Sequence, residues 1–185
     1  EAAAALAQSL ADGLVFEAHS TDYQGVAPLT ALVRDGFAIL KVGPELTFAL
    51  REALYALDLI ASDLCEGYGA RPLMAAMEAL MCAEPENWAR HYSGSAHAQH
   101  VLRHYSFSDR IRYYWPAPPA RDAVERLFAA LKGRAVPLPL FWQHLPAQAG
   151  FANHPLDPQE VVLAHISRAL APYFAACAAP TALED

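Results

Sequence analysis

Two short apolar segments constrain this chain more than anything else in it. Residues 14–18 (LVFEA) and residues 37–42 (FAILKV) begin 23 residues apart, and between them lies a stretch with its own helix signals over 28–34, closed by Asp35-Gly36. Neither segment alternates polar with apolar, which is the pattern of a strand covered on both faces, and the spacing leaves room for a crossover helix. Strand, helix, strand is a parallel βαβ unit, so an α/β fold is expected. Gly43-Pro44 then turns the second segment into a long helix with Leu46, Leu50, Leu54, Leu57 and Leu64 on one side.

The remainder reads mostly as helix. Apolar periodicity predicts helices over 72–81, 84–92, 106–115 and 120–132, and a third strand at 138–143 (LPLFWQ). Asp157, Pro158 and Glu160 form a helix-start signature ahead of an apolar stripe through Val161, Val162, Ile166, Leu170, Tyr173 and Phe174, and this last helix is expected on the sheet. Residues 1–11 are Ala-rich and read as a helix already under way. At 185 residues the chain is short of the roughly 250 that a closed (β/α)8 barrel takes, so three strands with a helical insertion over 67–135 read as one incomplete domain over 1–185.

Composition excludes several functions. A net charge of -7 with no basic stripe argues against nucleic acid as partner. No uncharged apolar run approaches the roughly 20 residues of a membrane span. Cys65, Cys82 and Cys177 are odd in number and set in apolar surroundings, which reads as reduced core thiols in a cytoplasmic protein. Gly-rich phosphate loops, CxxC pairs and nucleophile elbows are absent from the sequence.

Chemistry is expected where parallel strands end, because loops and helix N-termini converge there. Val15, Glu17 and His19 share one strand face, as do Phe37, Ile39 and Lys41. Glu17 and His19 suit a divalent cation or acid–base work; a structural Glu17–Lys41 ion pair competes with that reading, and Lys41 suits a phosphate or a carbonyl. A second candidate lies at 105–115, where Ser106 and Asp109 have capping-box spacing and Arg110 and Arg112 fall in the first turns of the expected helix. With Ser108 and three adjoining aromatics they suit an anion site; the competing reading pairs Arg110 or Arg112 with Asp109 or a neighbouring acid while the aromatics pack between helices. His97, His100 and His104 fall on one helical face with His91 nearby, but no local carboxylate or cysteine completes a ligand set, so a solvated histidine face is expected.

Residues 16–24 (FEAHSTDYQ), 37–54 (FAILKVGPELTFALREAL), 105–115 and 168–174 (RALAPYF) together resemble the GatZ/KbaZ family, the accessory subunits of class II D-tagatose-1,6-bisphosphate aldolase. The resemblance implies the C-terminal portion of a (β/α)8 barrel contributing about three parallel strands, and as partner a catalytic class II aldolase subunit that this protein stabilises and activates in galactitol or amino-sugar catabolism. His19 matches the zinc-binding His of class II aldolases, which makes a divalent metal such as zinc the candidate cofactor. Lys41 and Val42 match their phosphate-site stretch, with Gly43 where Asn is expected, so a sugar phosphate is the implied ligand. Some members resemble metal-dependent hexulose-6-phosphate 4-epimerases. In an enzyme of that kind, or an aldolase in its own right, His19 would be the ligand, Asp22 or Glu17 would move protons, and Lys41 with Arg110 or Arg112 would hold phosphate.

Overall fold

The computed structural model describes residues 13–178, so the expected helix at 1–11 lies outside the described residues. Strand β1 is Phe16–Ala18, helix α1 Val26–Arg34 and strand β2 Phe37–Leu40. They are followed by α2 (Pro44–Leu64), α3 (Pro72–Ala83), α4 (Ala96–Tyr105), α5 (Pro118–Leu131), α6 (Leu138–His144) and α7 (Pro158–Ala178), with 3-10 turns at Pro85–Asn87, Arg110–Tyr113 and Pro146–Phe151. The described chain divides into two compact units, residues 13–46 with 167–178, and residues 47–166.

The first unit is the βαβ motif. β1 and β2 pair in parallel with Phe16 opposite Phe37, Glu17 opposite Ile39 and Ala18 opposite Leu40, and the register slips between Phe16 and Glu17. Gly25 opens α1 at φ 76°, ψ -178°, a conformation that only glycine adopts without strain. At the other end Asp35 closes the helix and Gly36, at φ 94°, lets β2 begin at once. Leu29 of α1 packs with Tyr173 and Ala176 of α7, and Leu40 and Val42 pack against them. α7 is the one described helix long and apolar enough to cross a membrane, with mean hydropathy 1.4. It carries Glu160, His165 and Arg168 and its start signature is as expected, the Asp157 carboxylate accepting from the Gln159 N–H at 3.0 Å.

The second unit is helical. Leu54, Leu57, Ile60 and Ala61 of α2, Leu73, Met77 and Met81 of α3, Leu127 and Leu131 of α5, and Phe141 of α6 form its core. Asp58, fully buried in the middle of α2, accepts from the Tyr68 hydroxyl at 2.8 Å and from the Leu73 and Met74 N–H groups at 3.3 and 3.1 Å. It thereby satisfies the free donors at the start of α3, whose preceding residue Arg71 provides no side-chain cap.

The expected third strand is a helix. Residues 138–143 lie in α6, with Pro137 as its cap and Pro139 in its first turn. Proline fits a first turn, where its missing N–H has no intrahelical partner, whereas inside a parallel sheet it deletes a ladder bond. The described sheet therefore has two strands, and the helical stretch follows β2 without a later strand to bracket it. What precedes α6 is one antiparallel bridge, Ala135 to Pro155. The helix expected over 84–92 is a 3-10 turn at Pro85–Asn87, and that expected over 106–115 shrinks to Arg110–Tyr113. Its capping box does not form, because Asp109 sits at φ 44° and its carboxylate is taken by Arg51. All three cysteines are free, but only Cys65 is buried; Cys82 and Cys177 are exposed.

Candidate functional site

At the carboxyl ends of the two strands, Glu17 Oε1 lies 2.9 Å from His19 Nε2 and 3.3 Å from Lys41 Nζ. The period of two along β1 places Glu17 and His19 on one face, and parallel pairing brings Lys41 alongside. Both expected partnerships of Glu17 thus meet on one carboxylate oxygen. The site is open, with the His19 and Lys41 side chains 64% and 59% exposed. His19, Ser20, Asp22, Lys41 and Gly43 line a cavity of about 390 Å³ there.

The loop after β1 is pinned from several directions. Ser20 and Tyr23 take positive φ values of 58° and 63°. Thr21, wholly buried, donates to the Lys41 carbonyl at 2.9 Å and shares a 3.1 Å hydrogen bond with the Tyr173 hydroxyl, whose own proton is held by burial above its ordinary pKa. Asp22 Oδ1 accepts from the N–H groups of Gly43 and Glu45, both at 2.9 Å, so Asp22 caps α2 across the loop. The Tyr23 N–H returns the favour by donating to Glu45 Oε2 at 2.9 Å.

His19 and Glu17 supply two ligand atoms, one short of the three protein ligands a catalytic zinc takes, and one oxygen of Asp22 is committed to the cap. These residues do not by themselves make a metal centre. Among the described residues the one group of three within ligating distance of one another is Glu78, His100 and His104. There the expectation of a solvated histidine face is corrected: His97 is exposed, but His104 is fully buried, and the missing carboxylate comes from Glu78 on α3.

That cluster is already satisfied without a cation. Glu78 Oε1 meets His100 Nδ1 at 3.0 Å and also accepts from Arg103 Nη2; Glu78 Oε2 accepts from Arg103 Nε at 2.8 Å and meets His104 Nε2 at 3.0 Å. The Arg103 hydrogen bonds hold the Glu78 carboxyl down to about 2, and burial holds His104 down to about 4. A neutral His104 beside a carboxylate must donate from Nε2, so its Nδ1 accepts from the Tyr55 hydroxyl at 2.7 Å. The bidentate Arg103 guanidinium thus already engages both Glu78 oxygens.

Ser108, Arg110 and Arg112 form a group of their own on the turn after α4. Ser108 Oγ bonds to the Tyr92 hydroxyl at 3.0 Å and to Ser106 Oγ at 2.9 Å. Arg112 folds back on its own turn, donating to the Ser108 and Asp109 carbonyls and to the Tyr113 hydroxyl, with its guanidinium 4.4 Å from the Tyr113 ring. Arg110 donates to the Asn87 carbonyl at 3.4 Å, and its Nε is buried without a partner. Besides Glu78 and Arg103, two polar residues of α2 escaped the sequence reading. Arg51 and Asp58 both interrupt the apolar face of α2, and a charge on such a face is the signal that would have found them.

Over residues 1–178 the sequence matches the family described as D-tagatose-1,6-bisphosphate aldolase subunit GatZ/KbaZ-like. A D-tagatose 6-phosphate 4-epimerase from Agrobacterium fabrum is 53% identical over 163 residues, covering 88% of this chain and 38% of that protein. The crystal structure of a probable tagatose 6 phosphate kinase from Sinorhizobium meliloti 1021 is 50% identical with a TM-score of 0.84, over 95% of this chain and 46% of that one. The chain thus spans less than half the length of these relatives.

Proposed function

The chain belongs to the D-tagatose-1,6-bisphosphate aldolase subunit GatZ/KbaZ-like family, and from that premise we propose that it is the strand-end portion of a ketohexose 6-phosphate 4-epimerase. The observation that carries this reading is the Glu17 carboxylate shared between His19 and Lys41 at the mouth of two parallel strands. The similarity to a D-tagatose 6-phosphate 4-epimerase supports the choice of reaction. In a 2-ketose the C4 hydroxyl is β to the carbonyl. Removing its proton lets the C3–C4 bond break into an aldehyde at C4 and an enediolate over C2 and C3. Rotation of the aldehyde and re-addition to its other face, with the proton returned to O4, inverts C4.

This chemistry needs a proton acceptor at O4 and a cation for the phosphate, and the Glu17–His19 pair and Lys41 are assigned to those roles. Asp22, through its cap on α2, holds the loop that carries His19. Further strands of a (β/α)8 barrel would complete the site, which agrees with a two-stranded sheet that leaves Leu14, Val15 and Ile39 exposed. The test is interconversion of D-tagatose 6-phosphate and D-fructose 6-phosphate by the full-length protein, with His19→Ala and Glu17→Gln each lowering kcat/KM by about 100-fold or more.

The family description, an aldolase subunit, supports a second reading, in which we infer a cytoplasmic accessory role beside a catalytic class II aldolase. Under it the full-length protein shows no epimerase turnover and instead raises the activity and thermal stability of that partner.

A further inference from the structure

We propose that a cleft within residues 47–166, sharing no residue with the strand-end cluster, binds the phosphate of a phosphomonoester. It is a cavity of about 460 Å³ between the middle of α2, the residue preceding α3, the turn after α6 and the first half of α7. Of the six buried side-chain polar atoms without a hydrogen-bond partner among the described residues, three belong to residues lining it: Arg51 Nη2, Arg71 Nε and His165 Nδ1.

Each of the three is fixed from behind. Arg51 is 2% exposed; its Nε donates to Asp109 Oδ1 at 3.0 Å and its guanidinium lies 4.1 Å from the Phe48 ring, so one edge is neutralised while Nη2 has no acceptor. Arg71 is held at φ 51°, a left-handed conformation costly for any residue with a Cβ, and its guanidinium lies 5.8 Å from the Tyr55 ring. His165 meets Glu52 Oε2 through Nε2 at 3.3 Å, which leaves Nδ1 facing away from that carboxylate. Glu52 is the one acid on the lining, and it is engaged with His165.

Guanidinium groups cannot become acceptors at any ordinary pH, so the open positions on Arg51 and Arg71 call for oxygen acceptors. Buried donors left unpaired destabilise a fold, and native structures keep few of them. A phosphomonoester dianion brings three terminal oxygens to one point, the geometry that guanidinium forks match best. Tyr55, anchored by His104, and Tyr105 add aromatic surface to the wall, which suits a ligand carrying a ring beside its phosphate.

The test is calorimetric titration of the full-length Lys41→Gln protein with inorganic phosphate and with phenyl phosphate at fixed ionic strength. That background removes the strand-end cation, so the outcome is independent of the function proposed above. Both probes are expected to bind, phenyl phosphate about tenfold tighter through the aromatic wall. Adding Arg71→Gln should weaken both by about tenfold or more. If that variant fails to fold by circular dichroism, His165→Gln takes its place with the same expected direction. Absence of binding in the Lys41→Gln protein, or binding undiminished by the cleft substitution, overturns the proposal.

Discussion

Acid should loosen the helical unit through one imidazole. His104 is fully buried between the Tyr55 hydroxyl and Glu78, and burial lowers its pKa from 6.5 to about 4. The unfolded chain therefore binds a proton below pH 6.5 that the folded chain refuses until about pH 4, so stability is fully present above 6.5 and falls as the pH drops through that window. Linkage over the interval gives a loss of about 2 kcal/mol by pH 5 and about 3 kcal/mol by pH 4. Glu78, lowered from 4.5 to about 2, acts in the same direction below pH 4.5. The experiment compares wild type with His104→Gln by urea unfolding at pH 7 and pH 5, followed by tryptophan fluorescence; Trp88, Trp115 and Trp142 all lie in residues 47–166. The glutamine does not titrate, so other ionisations cancel in the difference. The stability advantage of wild type should shrink by about 2 kcal/mol between the two pH values. An advantage that stays constant or grows on acidification would refute the assignment of a neutral, buried His104.

Three further outcomes follow from the contacts. Asp22→Ala removes the acceptor for the Gly43 and Glu45 N–H groups and should lower stability by about 1 kcal/mol, read as a fall in Tm, while raising KM through the loosened loop. Asp109→Asn leaves the Arg51 guanidinium buried without its counter-charge and should cost about 3–5 kcal/mol in chemical unfolding, unless Arg51→Met is introduced with it. Lys41→Gln breaks only an exposed pair, so its stability should change by less than about 1 kcal/mol even as phosphate affinity at the strand ends falls.

The βαβ unit was legible because everything that specifies it is local: two apolar runs, a Gly at each end of the helix between them, and a Gly-Pro turn after the second strand. The shared face of Glu17 and His19, and the nearness of Lys41, followed from strand period and parallel pairing alone. Residues 138–143 show where that reasoning stops, since a six-residue apolar run fits a strand or a buried helix equally, and only the weight given to Pro139 separates them. The histidine cluster misled for a different cause. Its carboxylate lies 22 residues before His100, on another helix, and tertiary packing alone brings it there. Ser106 and Asp109 had capping-box spacing, but a buried ion pair with Arg51, 58 residues away, outweighs one local cap.

The central claim rests on Glu17, His19 and Lys41 acting together on a ketohexose 6-phosphate. Its most direct measurement is the rate at which the full-length protein converts D-tagatose 6-phosphate to D-fructose 6-phosphate, with Glu17→Gln alongside. The account predicts turnover that the substitution reduces by about 100-fold or more without a matching loss of stability. Turnover unaffected by Glu17→Gln, or none in the wild-type protein, would contradict it.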